Sequence, residues 1–231
     1  MRPRGRKPTP RDQHESAFAS ILADLLVRVP GGKAAALVDR DGETVDYSGR
    51  GSPYEMRVAA AHFRIVLDET RGQPSLGGAR SLVARASRAS FAVHALPDGY
   101  ALVVCLARGA GFRGLGRALQ VCIRSLAEEA GWPAPPSPWY GVEVLVDERG
   151  VPQAARPSRG PSAAGQAAPL EIIGRYRAAP EHERAWRVRL LSGVELTLVR
   201  ESSGFWYVDE PFSGARPAAI RPVPRPTKKN L

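Results

Sequence analysis

A helix that runs directly into a tight hairpin, within residues 18–47, limits the possible folds of this chain more than any other segment. Burying a large apolar side chain contributes roughly 1.5–3 kcal/mol, so a helix with one apolar face must be covered. A break at Pro30, Gly31 and Gly32 ends the helix, and Asp41-Gly42 predicts a two-residue hairpin turn. The apolar residues recur at steps of three and four; they are Phe18, Ile21, Leu22, Leu25, Leu26 and Val29.

The next elements extend this start into a complete α+β domain. Pro53 opens a second predicted helix that ends near Arg71. Three β-rich segments, at 81–86, 91–96 and 100–106, and a third amphipathic helix follow. The order α-β-β-α-β-β-β-α with short connections predicts a five-stranded antiparallel sheet with helices on both faces.

The second helix carries two different faces. Its apolar residues Tyr54, Val58, Ala61 and Ile65 predict the buried side. The opposite side carries arginines every seven residues, and Asp68 lies one turn from one of them, so the two can pair. A solvated charged face and an interaction face are both open for this side, whose arginines are Arg57, Arg64 and Arg71.

A proline-rich segment at 133–138 separates the first domain, 13–132, from a second one. Four prolines in residues 132–138 are incompatible with a helix or a central strand. Short β-rich segments separated by turns then predict a small, mostly-β, barrel-like domain over 139–212, with a flexible insert at 156–169.

The net charge of +10 is concentrated at the two ends of the chain. Residues 1–11 hold five basic residues and no acid, and residues 213–231 hold five more, again with no acid. Both ends are proline-rich and poor in large apolar residues, so we predict disordered basic tails at 1–12 and 213–231. Nucleic acid is expected to bind only through these tails, and only weakly, because no aromatic residues alternate with their charges.

No segment predicts insertion into a membrane or export, because no run of about 18 apolar residues occurs and the N-terminus lacks an apolar signal core. We therefore expect a cytoplasmic protein. The 43% hydrophobic content over 231 residues is sufficient for the cores of two domains.

Motifs for catalysis or cofactor binding are incomplete. The glycines at 109–114 match G-x-G-x-x-G, but the following helix runs into the proline-rich segment instead of a parallel strand with a terminal acid. His14 and His182 each precede a glutamate but lack the second histidine of a zinc-protease helix, and Asp39-x-Asp41-Gly42 is better explained as a turn than as a calcium loop. We expect no enzyme activity, catalytic residue, cofactor or metal.

The first domain resembles the roadblock / dynein-light-chain family, which is related to longin and profilin-like folds and includes the bacterial gliding-motility protein MglB. The resemblance rests on Phe18-x-x-Ile21-Leu22, on Pro-Gly-Gly-Lys-Ala-Ala-Ala-Leu-Val-Asp-x-Asp-Gly at 30–42, on the alanine-rich second helix, and on Leu-Pro-Asp-Gly-Tyr-Ala-Leu-Val-Val at 96–104. It covers a little over half of the chain, and the C-terminal β domain lies outside it.

The resemblance implies a homodimer that forms through the second helix and the third strand. This dimer would bind and regulate a Ras-like small GTPase. Regulation would act by reshaping the switch loops of the GTPase or by donating a catalytic arginine, Arg57 or Arg64. The alternative is a scaffold, unrelated to GTPases, whose basic tails bind acidic partners or nucleic acid. The candidate partner and dimer residues are Arg57, His62, Arg64, Asp68, Arg71, Leu82 and Arg85.

Overall fold

A computed structural model describes residues 16–76, 78–112, 115–133, 139–159, 161–176 and 183–212. The chain divides into two compact units, Met1–Trp139 and Tyr140–Leu231. Both predicted tails lie outside the described residues, as do most of the proline-rich segment and the last two residues of the glycine motif. In the part of the chain that is described, none of the helices combines the length and apolar character needed to cross a bilayer.

The first unit has the predicted order of elements. Its helices are α1 (Ala17–Arg28), α2 (Pro53–Arg71) and α3 (Leu115–Ala130), and its strands are β1 (Gly32–Val38), β2 (Thr44–Gly49), β3 (Ser81–Arg85), β4 (Ala89–Ala95) and β5 (Ala101–Ala107). The strands form one antiparallel sheet in the order β2-β1-β5-β4-β3. The predicted fold class is confirmed for this unit.

Helices cover both faces of this sheet, so its central strands β1 and β5 are buried on two sides. Alternate residues of β1 point to opposite faces. Ala35 and Leu37 join the core under α1 and α3, whereas Ala34, Ala36 and Val38 join the core under α2. The apolar face predicted for the first helix lies in the first of these cores.

The turn between β1 and β2 differs from the predicted two-residue hairpin. Three residues form the loop, because the N–H of Asp39 donates to the carbonyl of Glu43 over 3.0 Å. The carboxylate of Asp39 accepts the N–H groups of Asp41 and Glu43, each at 2.9 Å. Only Gly42 has a positive φ, of 86°. The Asp39 side chain therefore closes the turn, which explains the calcium-like pattern without a metal.

The same turn recurs in the second unit between β6 (Tyr140–Val146) and β7 (Pro152–Pro157). There the carboxylate of Asp147 accepts the N–H groups of Arg149 and Val151, at 2.9 and 2.8 Å. β7 was not predicted as a strand, because prolines occupy both of its ends. At these terminal positions the prolines leave the hydrogen bonds of the strand interior intact.

The second unit is a closed barrel, as predicted. It continues with β8 (Ala168–Tyr176), β9 (Arg184–Leu190), β10 (Glu195–Arg200) and β11 (Trp206–Val208), and the strands close in the order β10-β11-β6-β7-β8-β9. The segment predicted as a flexible insert contributes its ends to β7 and β8 and holds a short 3-10 helix, Pro161–Ala164. Trp186 and Trp206 pack in the barrel core with ring centroids 5.3 Å apart.

Candidate interaction surface

Helix α2 is oriented differently from the prediction. It starts at Pro53 after Ser52, whose hydroxyl accepts the N–H of Glu55 at 3.4 Å, as expected for an N-cap. The residues that it buries against the sheet are Met56, Ala60, Arg64 and Leu67, with Phe63 partly buried beside them.

The apolar residues predicted to be buried instead face outward. The exposed fractions are 69% for Tyr54, 52% for Val58 and 57% for Ile65, and Ala61 between them is half-buried. We call these four residues the outer stripe of α2. The helix thus carries two apolar stripes, and its inner one also repeats at steps of three and four. Spacing alone does not distinguish two such stripes, so the prediction took the wrong one.

Arg64 is a buried anchor, which corrects its prediction as an exposed contact. Only 5% of Arg64 is exposed. Its Nε donates to the carbonyl of Gly99 over 2.8 Å, and its Nη1 pairs with the carboxylate of Asp68 one turn along α2. A buried charge is tolerated when it is paired and hydrogen-bonded. The guanidinium therefore ties α2 to the turn between β4 and β5.

That turn is shaped to receive the arginine. Asp98 and Gly99 have φ values of 53° and 82°, which direct the Gly99 carbonyl toward α2. A Cβ on Gly99 would lie 3.0 Å from the Cβ of Arg40 and 3.6 Å from Nη2 of Arg64. Gly99 thus supplies both the left-handed backbone and the space for Arg64.

The remaining predicted residues of α2 lie nearer to solvent. His62, Asp68 and Arg71 are exposed, and Arg57 is half-buried and makes contacts of its own. The Nη1 of Arg71 lies 3.9 Å from the carboxylate of Asp68. Asp68 therefore joins the buried Arg64 to the charged surface of α2.

The two predicted residues of β3 lie on opposite faces of the sheet. Leu82 packs with the core under α2, which also contains the tilted ring pair of Phe63 and Phe91. Arg85 lies over the ring of Phe112, with Cζ 4.8 Å from the centroid, beside the core under α1 and α3. Only Leu82 therefore shares a face with α2. The prediction grouped the two residues without considering that side chains of a strand alternate between its two faces.

β3 is an edge strand of the sheet. In the described part of the chain it pairs with β4 alone. Its Val83 is also among the exposed large apolar residues. The candidate surface thus has two parts. One is the exposed outer stripe of α2, and the other is the open edge of β3, in the sheet that α2 covers, whose N–H and C=O groups face outward.

One histidine of the first unit, His94, lies on β4. It is half-buried and lies opposite Ser81 of β3. Burial lowers the pKa of its imidazole, and the positive charge of Arg80 lowers it further. Across the described residues, no three His, Cys, Asp or Glu side chains converge as metal ligands would.

Comparison with known proteins gives structural likenesses only. No family model and no curated protein matches the chain. The chain is similar to a Roadblock/LC7 domain from Streptomyces avermitilis, with 21% identity, TM-score 0.44, and coverage of 50% of this chain and 99% of that one. It is also similar to the gliding protein MglB from Thermus thermophilus, with 16% identity, TM-score 0.43, and coverage of 51% of this chain and 94% of that one.

A third similar structure is MglC from Myxococcus xanthus, with 15% identity, TM-score 0.41, and coverage of 49% of this chain and 99% of that one. The names of these structures include the family that the sequence resembles.

Replacing Arg64 with alanine should lower the free energy of unfolding of the first unit by about 2–3 kcal/mol, because the Gly99 carbonyl loses its donor and a cavity forms. Arg71→Ala, at an exposed position of the same helix, is the matched control and should change it by less than about 0.5 kcal/mol. Urea denaturation followed by circular dichroism measures both. Equal effects of the two substitutions would contradict a buried anchor.

The free energy of unfolding should fall as the pH drops below the ordinary histidine pKa of about 6.5. In this range the unfolded chain takes up a proton at His94, whereas the folded protein does not until the pH reaches its lowered pKa. His94→Gln should flatten this part of the curve. Urea denaturation at several pH values checks this, and an unaltered slope in His94→Gln would refute it.

Proposed function

We propose that the first unit forms a homodimer that serves, without enzymatic activity of its own, as a regulatory platform for a Ras-like small GTPase. The observation that carries this proposal is the outer stripe of α2, in which three large apolar side chains are more than half exposed. The sequence resemblance to the roadblock / dynein-light-chain family supplies the class of partner.

The case for a dimer starts from the cost of exposing the outer stripe. Full burial of each large side chain would contribute roughly 1.5–3 kcal/mol, and a second copy offers the same residues in return. The open edge of β3 supports the same arrangement. Two identical edges can pair antiparallel about a twofold axis, which satisfies the exposed N–H and C=O groups of both copies.

The case for a GTPase partner rests on the resemblance, in which the paired second helices offer a face to the GTPase. The exposed His62, Asp68 and Arg71 beside the outer stripe are the candidate contacts on this face. Arg64 is already bound to Gly99 and Asp68, so we assign it no role in GTP hydrolysis. Regulation would then act on the switch loops of the GTPase itself or through Arg57, the other arginine named for donation.

The partner is tested by incubating the immobilised full chain with small GTPases of its host, loaded with GTP or with GDP. We expect the chain to retain the GTPase more strongly in one nucleotide state than in the other, as binding to a switch region requires. Val58→Glu should abolish retention, because a charge enters the outer stripe. Val27→Glu is the matched control, since Val27 is an exposed valine on α1.

Retention that is at background for both nucleotide states, or equally lost in both valine variants, would contradict the proposed function. The variants must first show the circular dichroism spectrum of the unmodified chain, which separates a lost surface from a lost fold.

A further inference from the structure

The arginines of the second unit differ in how their charge is neutralised. On the outside of the barrel Arg156 pairs with Glu143 at 2.6 Å, and Arg189 pairs with Glu195 at 2.7 Å and with Glu171 at 3.0 Å. The guanidinium of Arg189 is the main cause of the lowered pKa of Glu195. On the described strands of the barrel, three other arginines have no carboxylate partner, Arg175, Arg184 and Arg200, and Arg149 in the turn between β6 and β7 has none either.

Strand register brings these three arginines together at one end of the barrel. Arg184 on β9 lies directly opposite Arg200 on β10, and Arg175 on β8 lies opposite Trp186 on β9. Cross-strand partners share a face, and Trp186 belongs to the barrel core. The three side chains therefore start from the inner face, at the end where β8 stops. We call them the arginine mouth.

Aromatic rings contact two of the three arginines of the mouth. The Cζ of Arg175 lies 6.0 Å from the ring centroid of Trp186, and the Cζ of Arg200 lies 5.6 Å from that of Trp206. The Nη1 of Arg184 reaches toward the turn between β6 and β7, 3.8 Å from where a Cβ on Gly150 would stand. Cation–π contacts position a guanidinium but leave its positive charge available to an anion.

This arrangement costs stability by itself. Like charges directly opposite each other on neighbouring strands are destabilising, and Arg184 and Arg200 form such a pair. Elsewhere on the described barrel acids outnumber arginines, and two of these acids, Glu183 and Glu201, are chain neighbours of Arg184 and Arg200. A bound anion would relieve the repulsion.

An open strand edge lies beside the arginine mouth. β7 pairs with β8 only through Ala154 and Ala155, so residues 171–176 pair, within the described chain, with β9 alone. On this stretch Ile172, Ile173 and Tyr176 are exposed. The edge offers N–H and C=O groups to an extended chain, with apolar side chains next to them.

We propose that the arginine mouth and the open edge of β8 bind an extended acidic peptide of a protein partner. Its backbone adds to β8 and its carboxylates meet the arginines on the inner face, while its alternate apolar side chains lie on the other face, beside the exposed Tyr176. A single-stranded nucleic acid fits less well, because stacking requires open rings and Trp186 and Trp206 are only 4% and 8% exposed.

The test uses the full chain and a short fluorescein-labelled peptide in which glutamate and valine alternate, followed by fluorescence anisotropy. We expect binding, and a loss of affinity of about tenfold or more in the double variant Arg184→Gln, Arg200→Gln. The matched control is Arg50→Gln, Arg156→Gln, which removes the same charge away from the mouth and from the edge of β8 and should bind as the unmodified chain does. Both variants keep the basic tails.

Two further probes define the binding mode. The same peptide with lysine for glutamate should not bind, and one with proline for valine should bind more weakly, because proline cannot donate to β8. The melting temperature of Arg184→Gln, Arg200→Gln should be equal to or above that of the unmodified chain, since the repulsion is gone. If this variant loses affinity while its melting temperature is unchanged or higher, the loss comes from the binding site and not from unfolding.

The proposal is overturned if the acidic peptide does not bind, if the control variant loses as much affinity as the mouth variant, or if a thymidine oligonucleotide displaces the peptide from the mouth at lower concentration. Equal binding by all variants would place the peptide on the tails, which also overturns it. None of these results bears on the GTPase proposal, which concerns the first unit.

Discussion

The hydrogen bond from Arg64 to the carbonyl of Gly99, together with the ion pair of Arg64 with Asp68, fixes how α2 lies on the sheet. A helix with two apolar stripes could pack through either of them. A buried guanidinium must keep its partners, because an unpaired buried charge costs several kcal/mol. Since the Gly99 carbonyl can be reached only when Arg64 faces the sheet, this hydrogen bond favours packing through the inner stripe.

The outer stripe of α2 is a consequence of that selection. Once Met56, Ala60 and Leu67 face the sheet, Tyr54, Val58 and Ile65 must face away from it. The first unit thereby presents a large apolar surface at the cost of one buried charge. This is the feature from which dimer formation and partner binding are argued, and it depends on the left-handed turn that presents Gly99.

Local sequence patterns were sufficient for most of the fold and for little of the candidate surface. The apolar period of α1 and the β-rich segments of the sheet predicted their elements, because burial along one strand or helix is a property of neighbouring residues. The anchor of α2 could not be predicted in this way. Arg64 and Gly99 are 35 positions apart, and only the folded sheet brings them together.

The split between Leu82 and Arg85 was within reach, because an odd separation along a strand places two side chains on opposite faces. In the barrel, the arginines that pair with glutamates on the outside cannot be told from those of the arginine mouth by the sequence alone. The register of β8, β9 and β10 alone decides which arginines meet glutamates and which meet each other.

The central claim is that the outer stripe of α2 is an interface between two copies of this chain. Sedimentation velocity of the full chain at micromolar concentration tests it most directly, with Val58→Glu and the control Val27→Glu measured alongside. The account predicts a dimer for the unmodified chain and for Val27→Glu, and a folded monomer for Val58→Glu. A monomer for the unmodified chain, or a dimer that Val58→Glu leaves intact, would contradict it.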